Sequence, residues 1–238
     1  MMRGLPTQIA SLRRSAWRPR VEEVESAAAV SKFGGRPYLL PGEAWPTCQH
    51  CGQIMPLLLQ LNFAELPPAL RDEFGEGLLQ LFYCVNADAG CEDACEAFSP
   101  FSEGKLTRII TPDGEPATLE PAETAAIFPA RRILGWDECD DYPNWDEASA
   151  LGVEYTEDDA RRLSDDGFPR PGDKLSGWPY WVQGIEYPRC RLCDAEMRLI
   201  FQLDSEDHLP YMFGDVGCGH VTQCPVHKAE VTFAWACC

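Results

Sequence analysis

Three short segments hold the residue types most able to do chemistry in this chain. Cys48-Gln-His-Cys51 and Cys190-Arg-Leu-Cys193 are Cys-x-x-Cys knuckles, and Cys224-Pro-Val-His227 is a third x2 pair that ends in an imidazole. One such pair is a weak metal signal, whereas two pairs on separate loops suit the tetrahedral N/S coordination of Zn2+. Cys190, Cys193, Cys224 and His227 supply three thiolates and one imidazole. Cys48 and Cys51 can combine with Cys84 and either Cys91 or Cys95 into an all-thiolate set. In both sets the protein fills every position, so one or two structural Zn2+ sites are expected, with no place left open for a reacting water. The competing expectation is reduced thiols packed in a metal-free fold. A redox pair fits less well: thioredoxin-type motifs open a helix after a strand, and these follow a Pro-bearing loop and precede an apolar strand.

Familiar catalytic motifs (a Walker loop, Gly-x-Ser-x-Gly, His-Glu-x-x-His) are missing from the sequence. Cys218 and His220 share a face if their segment is a strand. With Asp215 they form the best candidate for an unrecognised enzyme site, though no neighbouring residue is an evident orienting group for the histidine. Binding is the stronger expectation. Lys32, Gly35, Pro37 and Tyr38 are matched by Lys174, Gly177, Pro179 and Tyr180, with Trp178 and Trp181 added beside the second set. An exposed cluster of this kind suits a peptide groove; the same rings would equally fill a core between two halves. Asp215, flanked by glycines, either binds a ligand or caps a turn.

The elements that must position these residues come in two copies. Residues 31–62 and 173–204 align without a gap at an offset of 142, with 12 identities in 32 positions; chance gives about two at ordinary residue frequencies. Each copy reads Lys-x-x-Gly-x-Pro-Tyr turn, knuckle, then apolar strand (55–62 and 197–204). Further strands are expected at 77–84, 105–111, 130–136, 218–224 and 231–238, because these runs are short and punctuated by Gly and Pro. An amphipathic helix is expected over 6–17, and another over 157–163 capped by Thr156. The fold class is therefore α+β, predominantly β: an internally duplicated strand-rich unit, two pseudo-repeats packed as one compact protein. Residues 1–136 carry the helix and first repeat, 137–167 an acidic solvated connector, and 168–238 the second repeat.

Bulk properties narrow the partners. The net charge is −18, and residues 1–20 hold five arginines and no acid, so the remainder is more acidic still. Such a body repels nucleic-acid phosphates and anionic lipid and attracts basic proteins. No run of apolar residues is long enough for a membrane span, and the N-terminus lacks the apolar core of a signal peptide. A cytoplasmic protein with a basic protein partner, and without nucleic-acid or membrane binding, is expected, its cysteines held as thiols or metal ligands.

The segments SKFGGRPYLLPGEAWPTCQHCG, LLLQLN, GDKLSGWPYWVQ, FQLDSEDHLPYMFGD and AWACC resemble the bacterial YwqG-like family, whose function is uncharacterised and which is internally duplicated. The likeness runs from about Trp17 to the end. The Lys-x-Gly-Gly pattern, the knuckle and the Gln-ended strand are also similar to eukaryotic programmed cell death protein two. These resemblances imply a chaperone-like role, escorting a client, or an immunity role beside a toxin; a zinc-stabilised structural or regulatory protein is the remaining alternative to a non-catalytic binding module.

Overall fold

A computed structural model describes residues 6–117 and 127–238. Ten strands form one sheet: β1 (Arg14–Glu22), β2 (Lys32–Phe33), β3 (Leu57–Asn62), β4 (Leu78–Tyr83), β5 (Lys105–Ile110), β6 (Arg131–Asp141), β7 (Lys174–Ser176), β8 (Arg198–Asp204), β9 (Cys218–Gln223) and β10 (Val231–Ala236). Four short helices accompany them: α1 (Thr7–Ala10), α2 (Cys91–Ala94), α3 (Trp145–Ala150) and α4 (Glu157–Asp165). The strand order is β10-β9-β8-β7-β1-β6-β2-β3-β4-β5, and every pairing is antiparallel. The order is symmetric about the central β1–β6 pair. Each of these two long strands leads, in sequence, into one half of the sheet but pairs with the first strand of the other.

The sheet curls until its two edges nearly meet, as a barrel does. Residues just before β5 reach β10: the Trp235 N–H donates to the Phe98 carbonyl at 3.1 Å, and the Phe101 N–H to Thr232 Oγ1 at 2.7 Å. Covering edges in this way removes exposed ladder groups. The interior holds one large core from both halves, including Phe33, Leu59, Leu61, Leu81, Tyr83, Phe201, Val221 and Phe233. Alternate positions put these residues inside and turn Gln60, Gln80, Gln202 and His220 to the opposite face. Among the described residues no helix is long and apolar enough to cross a membrane.

The expected apolar strands form where their composition places them, trimmed by one or two residues, except that the one expected at 130–136 runs on to Asp141. Two expectations need correction. The segment 6–17 is not one helix: α1 is a single turn, and Arg14 begins a strand. Trp17, Pro19 and Val21 face inward while Arg18, Arg20 and Glu22 face out, a two-residue period that the run of arginines obscures. The acidic segment is also not a plain solvated connector. β6 runs through it to Asp141, and Asp141 and Glu147 are both buried. Helix α3, capped by the Asn144 side chain, lies beyond what composition suggested. Helix α4 has the expected Thr156 cap, in a reciprocal box with Asp159.

Candidate metal centres and an adjacent pocket

Each knuckle is a tight reversal before a strand. Cys48 N–H donates to Gln53 O and Gly52 N–H to Cys48 O, both at 2.8 Å; Cys190 N–H donates to Ala195 O and Asp194 N–H to Cys190 O, both at 2.9 Å. Gly52 and Asp194 occupy the same left-handed position, φ +73° and +58°. Bridges Thr47–Ile54 and Arg189–Glu196 close the two reversals at the 142-residue offset.

These turns aim the thiols at residues just beyond the ends of β4 and β9. Cys48, Cys51, Cys84 and Cys91 form one tetrad, and Cys190, Cys193, Cys224 and His227 another; within each, the ligand atoms lie within 4.8 Å of one another. In the first, Cys48–Cys91 and Cys51–Cys84 sulfurs are 4.0 and 3.7 Å apart. In the second, Cys193–Cys224 is 3.6 Å, and Cys190 and Cys224 each lie 3.8 Å from His227 Nδ1. Four thiolates at ~2.3 Å from a tetrahedral Zn2+ would sit roughly 3.8 Å apart, so the spacings fit a metal of that size. Backbone N–H groups point at the sulfurs: Leu192 at Cys190, and Val226 and His227 at Cys224, at 3.2 to 3.4 Å. Such donors favour thiolate over thiol. At Cys224 burial acts to raise the pKa, but the His227 and Val226 N–H groups and the neighbouring ligands prevail and bring it to about 6. At Cys51 burial is likewise overcome, by the Gln53 N–H and the adjoining thiols, and the group falls to about 7. Burial shifts Cys84 and Cys91 upward instead, so it is the spacing of the ligand atoms that lets both tetrads hold a metal ion, with every ligand supplied by the protein. At the position left open between Cys91 and Cys95, Cys91 is the tetrad member; it opens α2, one turn ahead of Cys95.

The turns expected to meet a partner are mostly interior. Lys32, Gly35, Pro37, Tyr38, Lys174, Gly177, Trp178 and Pro179 are buried, while Tyr180 and Asp215 are exposed. Their work is internal. Gln60 Oε1 accepts from Tyr38 N–H at 2.9 Å, and Gln202 Oε1 from Tyr180 N–H at 2.7 Å. Gln60 Nε2 donates to the Ala28 and Val30 carbonyls, and Gln202 Nε2 to those of Arg170 and Gly172, again 142 residues apart. The two glutamines thus pin the turns to the sheet. Gly177 has φ +82°, and a Cβ there would meet Asp141 Oδ2 at 2.5 Å, so only glycine fits.

The buried lysines differ. Lys32 Nζ donates to the Ser26 and Arg36 carbonyls and makes no ion pair among the described residues; burial, only partly offset by the charge of Glu25, drops its pKa to about 8. Lys174 Nζ bonds Asp141 Oδ2 at 2.8 Å. Asp141 also accepts N–H groups from Tyr142, Arg170 and Trp178.

Cys218 and His220 do come together, with Sγ 3.8 Å from Nε2. Their surroundings oppose nucleophilic use. Burial drives the Cys218 thiol far up, and burial, helped by Lys174, drives His220 down to about 3. His220 bonds the Tyr180 backbone, much as Gln80 donates to the Tyr38 carbonyl, and pairs across from Gln202 as Gln80 does from Gln60. It takes the place of a structural glutamine. Asp215 lies in an exposed turn.

Two features escaped the sequence reading. Asp173, Asp207 and His208 cluster, with His208 Nδ1 2.8 Å from Asp173 Oδ2. His208 also stacks on Phe33, and Asp173 accepts the Asp204 N–H, so this cluster joins the halves as an ion-paired latch. The second is a pocket of about 550 Å3 lined by Arg14, by Glu73 and Phe74 of the first half, and otherwise by residues 147–199, among them Glu147, Trp178, Tyr187 and Glu196. Only spatial proximity links these positions; no spacing in the sequence announces them.

A family model described as a domain of unknown function, DUF1963, matches residues 31–233. The chain belongs to the DUF1963 family. The match takes in both tetrads, the latch and most of the pocket lining, leaving β1 with Arg14 and the last residues of the chain outside it. No curated protein matches the chain.

Proposed function

We propose that this DUF1963 protein is a non-catalytic, zinc-stabilised binding module that holds a basic or unstructured segment of a protein partner. The observation that carries this is the pair of closed tetrads: eight ligands, all from the protein, commit the three knuckle-type pairs and their partners to structure. What remains for recognition is an acidic body and a pocket whose rim pairs Glu73 with Arg198 at 3.4 Å and adds the carboxylates of Glu147 and Glu196, which favours cationic partners. Zn2+ is the metal that best suits ligand sets of four thiols or three thiols and an imidazole. The offset of 142 residues, repeated in knuckles, bridges and glutamine bonds, supports an internal duplication as the origin of the two halves. It also supports kinship with the YwqG-like proteins and with programmed cell death protein two, and with them a cytoplasmic chaperone-like or immunity-like role. The enzyme alternative at Asp215, Cys218 and His220 finds no support in the suppressed ionisation of the last two.

An array of unstructured peptides, matched in length and graded from acidic to basic, tests the reading. The full chain should bind the basic members and release them as salt is raised. Binding that ignores peptide charge, or no binding at all, would sink it.

A further inference from the structure

We propose that the pocket between β8 and α3 is a receptor site for one long cationic side chain, an arginine or lysine of the partner segment, with Glu147 as its counter-ion. The inference rests on the binding reading above and names the group that the site would select.

Glu147 sits on α3, 4% exposed. Its carboxylate accepts hydrogen bonds from the Tyr187 hydroxyl and from Trp181 Nε1, and it makes no ion pair among the described residues. Burial raises its pKa, and the Tyr187 and Trp181 hydrogen bonds and the charge of Arg14 offset that only in part. An arriving cation would meet it where water is scarce and attraction is strong. The walls suit the rest of such a side chain. Leu151 and Ile185 are exposed apolar residues at the rim, and Met197 and Leu199 lie deeper. Arginine and lysine lay their methylene stems on surfaces of this kind while their heads seek charge. The volume lies in the range of ligand pockets, and Glu196 on the rim disfavours anions, while Arg198 there is paired with Glu73.

The chain itself places a guanidinium in this pocket. Arg14 Cζ lies 3.2 Å from the Trp178 ring centroid, and its Nη1 is 3.5 Å from the Gly177 carbonyl. The aromatic face is therefore already matched to a guanidinium, and Arg14 competes with a guest for it. Met197 packs with Cys190 and Cys224 of the second tetrad, which couples the pocket wall to the metal site.

Indole 15N NMR of the metal-loaded full chain, titrated with Nα-acetyl-arginine methylamide, tests this; the citrulline analogue, same shape without charge, is the control. The Trp178 indole signal should shift saturably with the arginine probe, and the citrulline probe should bind about tenfold more weakly or worse. Glu147→Gln should weaken arginine about tenfold and bring it level with citrulline. Arg14→Gln should tighten arginine binding. Equal binding of the two probes, or a Glu147→Gln chain that binds arginine as before, overturns the proposal. If Glu147→Gln does not fold, Leu151→Arg at the exposed rim gives the same decision: it should block the probe, and unchanged binding overturns the site. A chain that binds basic peptides on the array yet gives no Trp178 response refutes the pocket while leaving the broader reading intact. Failure of both refutes the broader reading.

Discussion

The two halves of the sheet share one scaffold and differ in charge. Turn, knuckle and glutamine recur in both, down to the carbonyls that Gln60 and Gln202 hold. The first half completes its tetrad with cysteines alone, keeps Lys32 on backbone carbonyls, and uses Ser31 and Gln80 at positions that are neutral. The second half substitutes His227 for a thiol, Asp141 as partner to Lys174, Asp173 for Ser31 and His220 for Gln80. Hydrogen-bond geometry is the conserved requirement, and charge is free to vary around it. The charged replacements and most of the lining of the receptor pocket proposed above lie in the second half.

Metal removal should give the largest effect and should separate the tetrads. Cys193 is exposed, whereas three of the four ligands in the first tetrad are buried. A chelator should strip the second site first, giving two kinetic steps in zinc release. Losing a structural site removes several kcal/mol at least, and at ~2–4 °C per kcal/mol for a chain of this size Tm should fall by about 10 °C or more. Simultaneous release from both sites would erase the distinction.

The buried lysines come next. Asp141→Asn leaves Lys174 without its charge partner and should cost ~3–5 kcal/mol in denaturant unfolding. Lys32→Met orphans two carbonyls and relieves a buried ammonium, so about 1–3 kcal/mol or less is expected. Equal costs would mean the carboxylate partner does not matter.

The latch should respond to pH. Burial lowers the His208 pKa, but Asp173 and Asp207 more than compensate, and it ends above its ordinary value; burial lifts Asp173 to about 6. Both groups then bind protons more readily folded than unfolded, so their stabilisation declines as pH rises. The histidine's share is complete below about 6.5 and is lost as pH rises through its raised folded value. Tm should fall between pH 6 and 8 in the native chain, and less steeply in His208→Gln. Parallel profiles would contradict the latch.

The smallest effect belongs to the segment joining the halves. Thr156→Ala removes half of the capping box and should cost about 1 kcal/mol, seen as lost protection of α4 amides in hydrogen exchange.

Much of this architecture is legible in the sequence, since knuckle spacing and the two-residue apolar period report local geometry directly. The tetrads followed from spacing because each pairs a knuckle with the end of an adjoining strand. What sequence hid was set by tertiary placement. The Lys-x-x-Gly-x-Pro-Tyr residues look like an exposed surface, but Gln60 and Gln202 fold them inward. Asp141 and Glu147 read as solvated acids within an acidic run, and only the sheet shows that each is buried against specific donors. β1 was masked because its outward positions are arginines and Pro19 interrupts its pattern.

Native mass spectrometry of the protein purified without added metal tests the central claim most directly. Two Zn2+ per chain are predicted, falling to one when Cys48 and Cys51 are both replaced by serine and to one when Cys190 and Cys193 are. A metal-free chain whose Tm is unmoved by chelator would contradict the account.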